Sequence, residues 1–266
     1  MYASLSLRHY STEINTKQCN THRRWIDTSY VPSIYINMSR NKLQKFAELM
    51  ACPNVYENRT HDKEKPSLQQ AGVFYEMKGR WNELHFKKNQ PIILELACGR
   101  GEYTLGLARM FPNYNFIGVD IKGARIHQGA AIALEEGLQN VAFLRTRIEQ
   151  IEAFFAPEEV SEIWITFPDP FLRESKENRR LTAPAFLERY RHFLKSEGLV
   201  QLKTDSDVLY DFTLETIQND PKCQLLYANN DIYARDLDFP ALALKTYYEK
   251  MHLVANKTIK YIQFHI

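Results

Sequence analysis

The sequence predicts an α/β fold built around a mostly parallel sheet, and three observations carry that expectation. From residue 91 onward, short apolar runs alternate with amphipathic helical stretches, the pattern of βαβ units. The first run ends in a glycine loop, Cys98-Gly99-Arg100-Gly101, which opens a helix. The fourth ends in Phe167-Pro168-Asp169-Pro170. Proline fixes φ and keeps the residue before it out of helix, so Asp169 is expected on an extended, rigid segment.

The elements follow in order. Residues 92–97 are the first strand, an apolar run, and 102–110 the amphipathic helix behind the glycine loop. The second strand, 115–120, ends at Asp120, and the helix over 124–136 is ended by Gly137. Residues 141–145 are the third strand, 148–155 a short helix and 162–166 the fourth strand. A helix at 184–194 leads to the fifth strand, 198–203, and Asp205 or Ser206 caps a helix running to Asn219. Strand-like stretches at 224–228 and 258–265 close the series. Ligands on parallel sheets bind at the carboxyl ends of the strands, which puts the glycine loop, Asp120 and Asp169 on one rim.

The residues on that rim suggest the ligand. Gly99 and Gly101 let the backbone come close to it. Asp120 stands nineteen residues after Gly101, where a carboxylate can accept hydrogen bonds from ribose hydroxyls; the alternative is a helix N-cap. A dinucleotide loop would carry a third glycine at position 104, which is Thr104, and Glu102 would oppose a pyrophosphate at the helix start. A ligand without phosphates fits better, and S-adenosylmethionine is one. Glu95, a charge inside an apolar strand, can meet its cationic end directly or through water; the alternative is a buried carboxylate paired with an internal cation.

Composition sets bounds. Lys+Arg number 34 against 32 Asp+Glu, a formal charge of +2, too small to indicate nucleic acid without knowing where the charges sit. The 44% hydrophobic and 25% charged fractions are those of an ordinary globular protein. No apolar run approaches the roughly eighteen residues of a membrane span. Cys19, Cys52, Cys98 and Cys223 form no CxxC pair and have no histidines at zinc spacing, so free thiols, a cytoplasmic setting and no metal are expected. Nothing chooses between monomer and homodimer. Residues 1–37 are polar and basic, with Arg8, Lys17, Arg23 and Arg24 against Glu13 and Asp27, and read as a disordered tail or non-native extension, with a transit peptide as the alternative. Met38 can serve as a start, leading into a helical stretch at 43–50; residues 38–90 are expected to be a helical and loop extension before the domain at 91–266.

Six segments together carry a family resemblance: ILELACGRGEYTLGLA (93–108), NYNFIGVDIKGARI (113–126), ITFPDPF (165–171), NRRL (178–181), LKTD (202–205) and TYYE (246–249). In order and spacing, the chain from about residue 38 resembles the bacterial tRNA (guanine-N7)-methyltransferases that modify the variable-loop guanine, position 46. The resemblance implies a Rossmann-like class I methyltransferase fold, with a mostly parallel seven-stranded sheet and helices on both faces, S-adenosylmethionine as donor and tRNA as substrate. By position it implies donor contacts at Glu95, Gly99, Gly101, Asp120 and Asp169, with Asp169 the key active-site carboxylate. It also implies substrate contacts at Arg173, Asp205, Thr246, Tyr247, Tyr248 and Glu249. The chain departs from the pattern at Ala97, usually glycine, at Phe171, usually tryptophan, and at Arg147, often an aspartate near the adenine.

Guanine N7 has an in-plane lone pair and no proton, so no base has to act before attack. The product ring is cationic, and a carboxylate beside it can accept hydrogen bonds from the guanine edge and stabilise the developing charge, the role expected of Asp169 with Asp205 assisting. Alignment should supply much of the acceleration. A rigid crossover turn with a capping aspartate is the structural alternative for this motif. Lys176, Arg179 and Arg180 beside the site, and Arg189, Arg191 and Lys195 on and around the next helix, are candidates for phosphate contacts; for the last three, a solvated helix face is the alternative.

Overall fold

The apolar runs become the middle of a single mixed sheet. A computed structural model describes residues 48–58 and 66–266. Its strands are β1 (Val55–Asn58), β2 (Leu68–Gln70), β3 (Val73–Tyr75), β4 (Ile92–Leu96), β5 (Asn115–Asp120), β6 (Val141–Arg145), β7 (Val160–Thr166), β8 (Leu194–Thr204), β9 (Gln224–Asn229) and β10 (Lys260–His265). The helices are α1 (Glu102–Met110), α2 (Gly123–Glu135), α3 (Pro184–Arg191), α4 (Asp207–Asn219) and α5 (Tyr247–Val254). The order across the sheet is β3-β2-β1-β6-β5-β4-β7-β8-β10-β9. Pairing from β1 to β8 through β6, β5, β4 and β7 is parallel. The pairs at both edges are antiparallel.

The parallel strands read as unbroken apolar runs because both faces are covered: all five residues of β4 are buried. Leu105 of α1 and Ile126 of α2 pack with Phe116 and Phe143 on one face, together with Leu242. Leu187 of α3 and Leu209 of α4 pack with Leu94 and Ile163 on the other.

The sequence predicts seven strands, and among the described residues the sheet has ten. The seven are present as β4 to β10, and the other three come from the segment expected as helix and loop. There β1 pairs with β6, extending the sheet past its predicted edge. The stretch at 148–155 forms a 3₁₀ helix, Ile148–Ala153. α3 stops at Arg191 because the eleven-residue β8 already starts at Leu194. The cap of α4 is Ser206, whose hydroxyl accepts from Leu209 N. Residues 1–37, most of the predicted helix at 43–50 and Cys19 lie outside the described residues. Cys52, Cys98 and Cys223 are free thiols.

Candidate active site

The loop after β4 is held from two sides. Gly99 and Gly101 have φ of +57° and +71°, the left-handed region open to glycine. At Gly101 a Cβ would also stand 2.6 Å from the Phe143 ring, whereas around Gly99 it would meet nothing within 4 Å. Ala97 adopts φ +58° without glycine's freedom, so the departure at this position keeps the geometry at a cost in strain. Asp120, at the tip of β5, accepts Gly99 N at 2.9 Å through one oxygen and Lys122 N at 2.7 Å through the other. It therefore braces the loop and opens α2 together.

Glu95 lies beneath this loop and is 3% exposed. One oxygen accepts Thr104 N at 2.8 Å and the Thr104 hydroxyl; the other accepts the Thr166 hydroxyl at 2.6 Å. Thr104, standing where a dinucleotide loop would have its third glycine, thus ties α1 to β4. Burial pushes the Glu95 carboxyl up to about 7, nearby Asp120 adding to the rise and the threonine donors opposing it. No basic side chain pairs with Glu95 or Asp120 among the described residues, so the predicted alternative of an internal cation for Glu95 is not realised.

Asp169 is held differently. Phe167 and Phe171, flanking the two prolines, have φ of +48° and +42°, a left-handed conformation that bulky residues rarely adopt. Such strain persists only where the surroundings enforce it. Here Phe167 N donates to Lys203 O at 2.8 Å. Arg180, 4% exposed, donates to Pro170 O at 3.0 Å and Phe171 O at 3.1 Å while its guanidinium lies 4.4 Å from the Phe212 ring centre. Asp169 accepts Phe171 N through one oxygen at 3.0 Å and remains exposed.

A strap formed by residues 240–254 crosses the same rim. Lys203, fully buried at the end of β8, donates to Leu242 O, Leu244 O and the Glu249 carboxylate, at 3.0, 2.9 and 2.8 Å. Tyr233 OH completes the Glu249 site at 2.6 Å. Burial lowers the Lys203 pKa, with Glu249 opposing the shift. Thr246 is the N-cap of α5, accepting Glu249 N at 3.2 Å, and Tyr247 and Tyr248 are exposed. Asp205 pairs with Lys257 at 2.6 Å and His252 at 3.4 Å, and the His252 ring stacks on Phe167 at 5.8 Å.

The glycine loop, the aspartate turn and the strap therefore share one rim. Residues 89–261 match the family model described as "Putative methyltransferase". A tRNA (guanine-N(7)-)-methyltransferase of Bacteroides fragilis (strain YCH46) is 48% identical over 227 residues, covering 85% of this chain and 86% of that one. One from Christiangramia forsetii is 46% identical over 230 residues, covering 86% and 99%. The chain belongs to the tRNA (guanine-N7)-methyltransferase family. A solved 16S rRNA methyltransferase, KamB, aligns with a TM-score of 0.55 at 13% identity over 73% of this chain and 96% of its own, a likeness of fold alone.

Within this methyltransferase, several predicted contacts change character. Arg180 is not an exposed RNA contact, because its guanidinium is spent on two backbone carbonyls of the aspartate turn. Glu249 is not presented to substrate, since Lys203 and Tyr233 occupy it in the interior. Thr246 is a buried cap, and Asp205 is engaged by two basic side chains. Arg173, Lys176 and Arg179 remain exposed, and none has an acidic partner among the described residues; Arg179 lies 4.7 Å over the Phe171 ring. Arg189 and Arg191 are half-buried and tied to Glu152, Glu188 and Asp220, so they form neither open phosphate contacts nor the solvated face expected as the alternative, while Lys195 is exposed on β8. Lys203 was missed by sequence reasoning, although a charge in an apolar strand is the signal that singled out Glu95. Among the described residues no group of acidic, histidine and cysteine side chains could hold a metal, and no helix is long and apolar enough to cross a membrane.

Proposed function

We propose that the chain transfers a methyl group from S-adenosylmethionine to N7 of guanine 46 in the variable loop of tRNA, in the cytoplasm where tRNA is found. The observation that carries this reading is the pairing of two buried carboxylates, which have no basic partner among the described residues, with one exposed carboxylate on a clamped turn. Asp120, joined by Glu95 in its ionised form, gives this loop negative charge, which would suit a cationic ligand without phosphates and oppose a pyrophosphate. Gly99, Gly101 and Asp120 would hold the adenosine side, with Glu95 acting mainly through the loop it braces. The bound donor supplies a methyl group already activated by a sulfonium.

Asp169 is exposed, with one oxygen bonded to Phe171 N; its other oxygen would accept from the guanine edge and stabilise the positive charge that grows on the ring. Arg180 and the left-handed residues on either side fix that oxygen in place, so little reorganisation is needed during transfer. Tyr247 and Tyr248 offer aromatic faces to a base, and Arg173, Lys176 and Arg179 offer charge to phosphates.

Unmodified tRNA incubated with labelled donor should gain label at one guanine, placed by nuclease mapping and mass. Label on adenine or uridine would replace the reading with a methyltransferase of different base choice, and label on small molecules alone would remove RNA altogether. Asp169→Asn should lower turnover by about 10²–10³, the usual cost of removing one preorganised electrostatic contact, while calorimetry shows donor affinity retained.

A further inference from the structure

One contact joins the donor loop to the strap in a way that neither half requires. The Glu102 carboxylate, in the first turn of α1, accepts Tyr247 N at 2.7 Å. Tyr247 is the first residue of α5, where backbone N–H groups have no partner within the helix, and Thr246 caps Glu249 N instead. A carboxylate at that terminus also complements the helix dipole. The Arg100 guanidinium, between the two loop glycines, lies 5.1 Å over the Tyr247 ring. Deeper in the molecule the strap is already secured: Tyr103 OH donates to Ala241 O at 2.8 Å, Lys203 holds Leu242 and Leu244, and a Cβ at Gly106 would meet Leu244 at 2.8 Å.

We propose that Glu102 is a positioning residue that couples the two substrates: by holding the start of α5 it links the ordering of the donor loop to the placement of Tyr247 and Tyr248 for tRNA. This rests on the function proposed above. Glu102 and Tyr247 are both exposed, so the contact contributes little to global stability. It spans residues whose own elements are anchored elsewhere, and what it adds is registry between them. Coupling between two binding sites is reciprocal, so each ligand must strengthen the other by the same factor.

The test measures tRNA affinity with and without S-adenosylhomocysteine, and the affinity for that product with and without tRNA. The wild type should show the same enhancement in both directions, at least about fivefold, the lower end of ordinary coupling. Glu102→Ala should bring the factor to about one, with thermal unfolding and product affinity in the absence of tRNA unchanged. Glu102→Gln keeps an oxygen that can accept Tyr247 N–H and should retain most of the factor. An enhancement equal in Glu102→Ala and wild type, or absent from the wild type, overturns the proposal. A wild type that binds neither S-adenosylhomocysteine nor tRNA would instead remove the reading beneath it, and the coupling with it.

Discussion

The glycine loop holds two carboxylates and the aspartate turn holds one, by opposite means. Glu95 and Asp120 are 3% and 7% exposed, and each oxygen of both accepts a hydrogen bond from the protein. They sit at the ends of regular strands and need no unusual conformation of their own. Asp169 is exposed, has one oxygen bonded to the chain, and stands between two aromatic residues in left-handed conformation. Burial shapes the first pair into a cradle whose protein bonds define the loop. Strain and an arginine clamp present the third to something arriving from outside. The difference separates carboxylates used up in building the loop from one that is left open to solvent.

The strap is where the two halves meet, and its buried ion pair gives the largest expected effect. Lys203→Met leaves the buried Glu249 carboxyl with Tyr233 as its remaining side-chain donor among the described residues, and loosens the carbonyls of Leu242 and Leu244. Removing one partner of a buried pair costs about 3–5 kcal/mol. Chemical denaturation should show that loss, with methyl transfer falling as the strap detaches. Replacing both partners with apolar residues of similar size (Lys203→Met with Glu249→Leu) should recover much of the stability. A single variant as stable as the wild type would mean that the strap is held elsewhere, and that the rim is two sites instead of one.

Legibility from sequence follows the same division. The central strands could be read because a strand covered on both faces must be apolar along its length, as 92–96 and 141–144 are. Asp120 and Asp169 could be placed because strand ends on a parallel sheet point to one rim. β1 to β3 could not, since strands of three or four residues such as Leu-Gln-Gln carry too little pattern. Partners distant in sequence were also invisible. Lys203 and Glu249 lie 46 residues apart, and only the fold shows that each neutralises the other. Arg180 could not be told from Arg179 by composition, yet one is interior and the other on the surface.

A pH series sharpens the donor half. Burial puts the Glu95 carboxyl at about 7, above the ordinary carboxylate range. Its ionised form is disfavoured in the folded state, so its contribution to stability is full below the unfolded pKa and is lost as pH rises toward 7. A cationic donor favours the ionised form and draws the pKa back down. Donor affinity should therefore climb between about pH 5 and 7 and level off above, about tenfold for each pKa unit restored, with proton release on binding near pH 6. Calorimetry in buffers of different ionisation enthalpy measures both. Glu95→Gln should flatten the profile and weaken binding, because an amide cannot accept from all three donors without turning its own NH₂ toward one. A wild-type profile already flat over that range would leave Glu95 with a purely structural task.

The smallest effects belong to the outer edge of the aspartate turn, where exposed and buried arginines stand side by side. Each phosphate neutralised contributes roughly 0.7–0.9 to the slope of log affinity against log salt. Arg173→Ala, Lys176→Ala and Arg179→Ala should each weaken tRNA binding a few-fold and reduce that slope by about one or less, with turnover at saturating tRNA preserved. Arg180→Ala should do the reverse: its guanidinium faces Pro170 O and Phe171 O, so the turn loosens and turnover falls, while the salt slope stays as in the wild type. Titration of tRNA binding at several salt concentrations reads one quantity, and saturating kinetics reads the other. If Arg180→Ala lowered the slope as much as Arg179→Ala, the clamp would have to open on RNA, and the rigid presentation of Asp169 would no longer distinguish this turn from the buried carboxylates beside it.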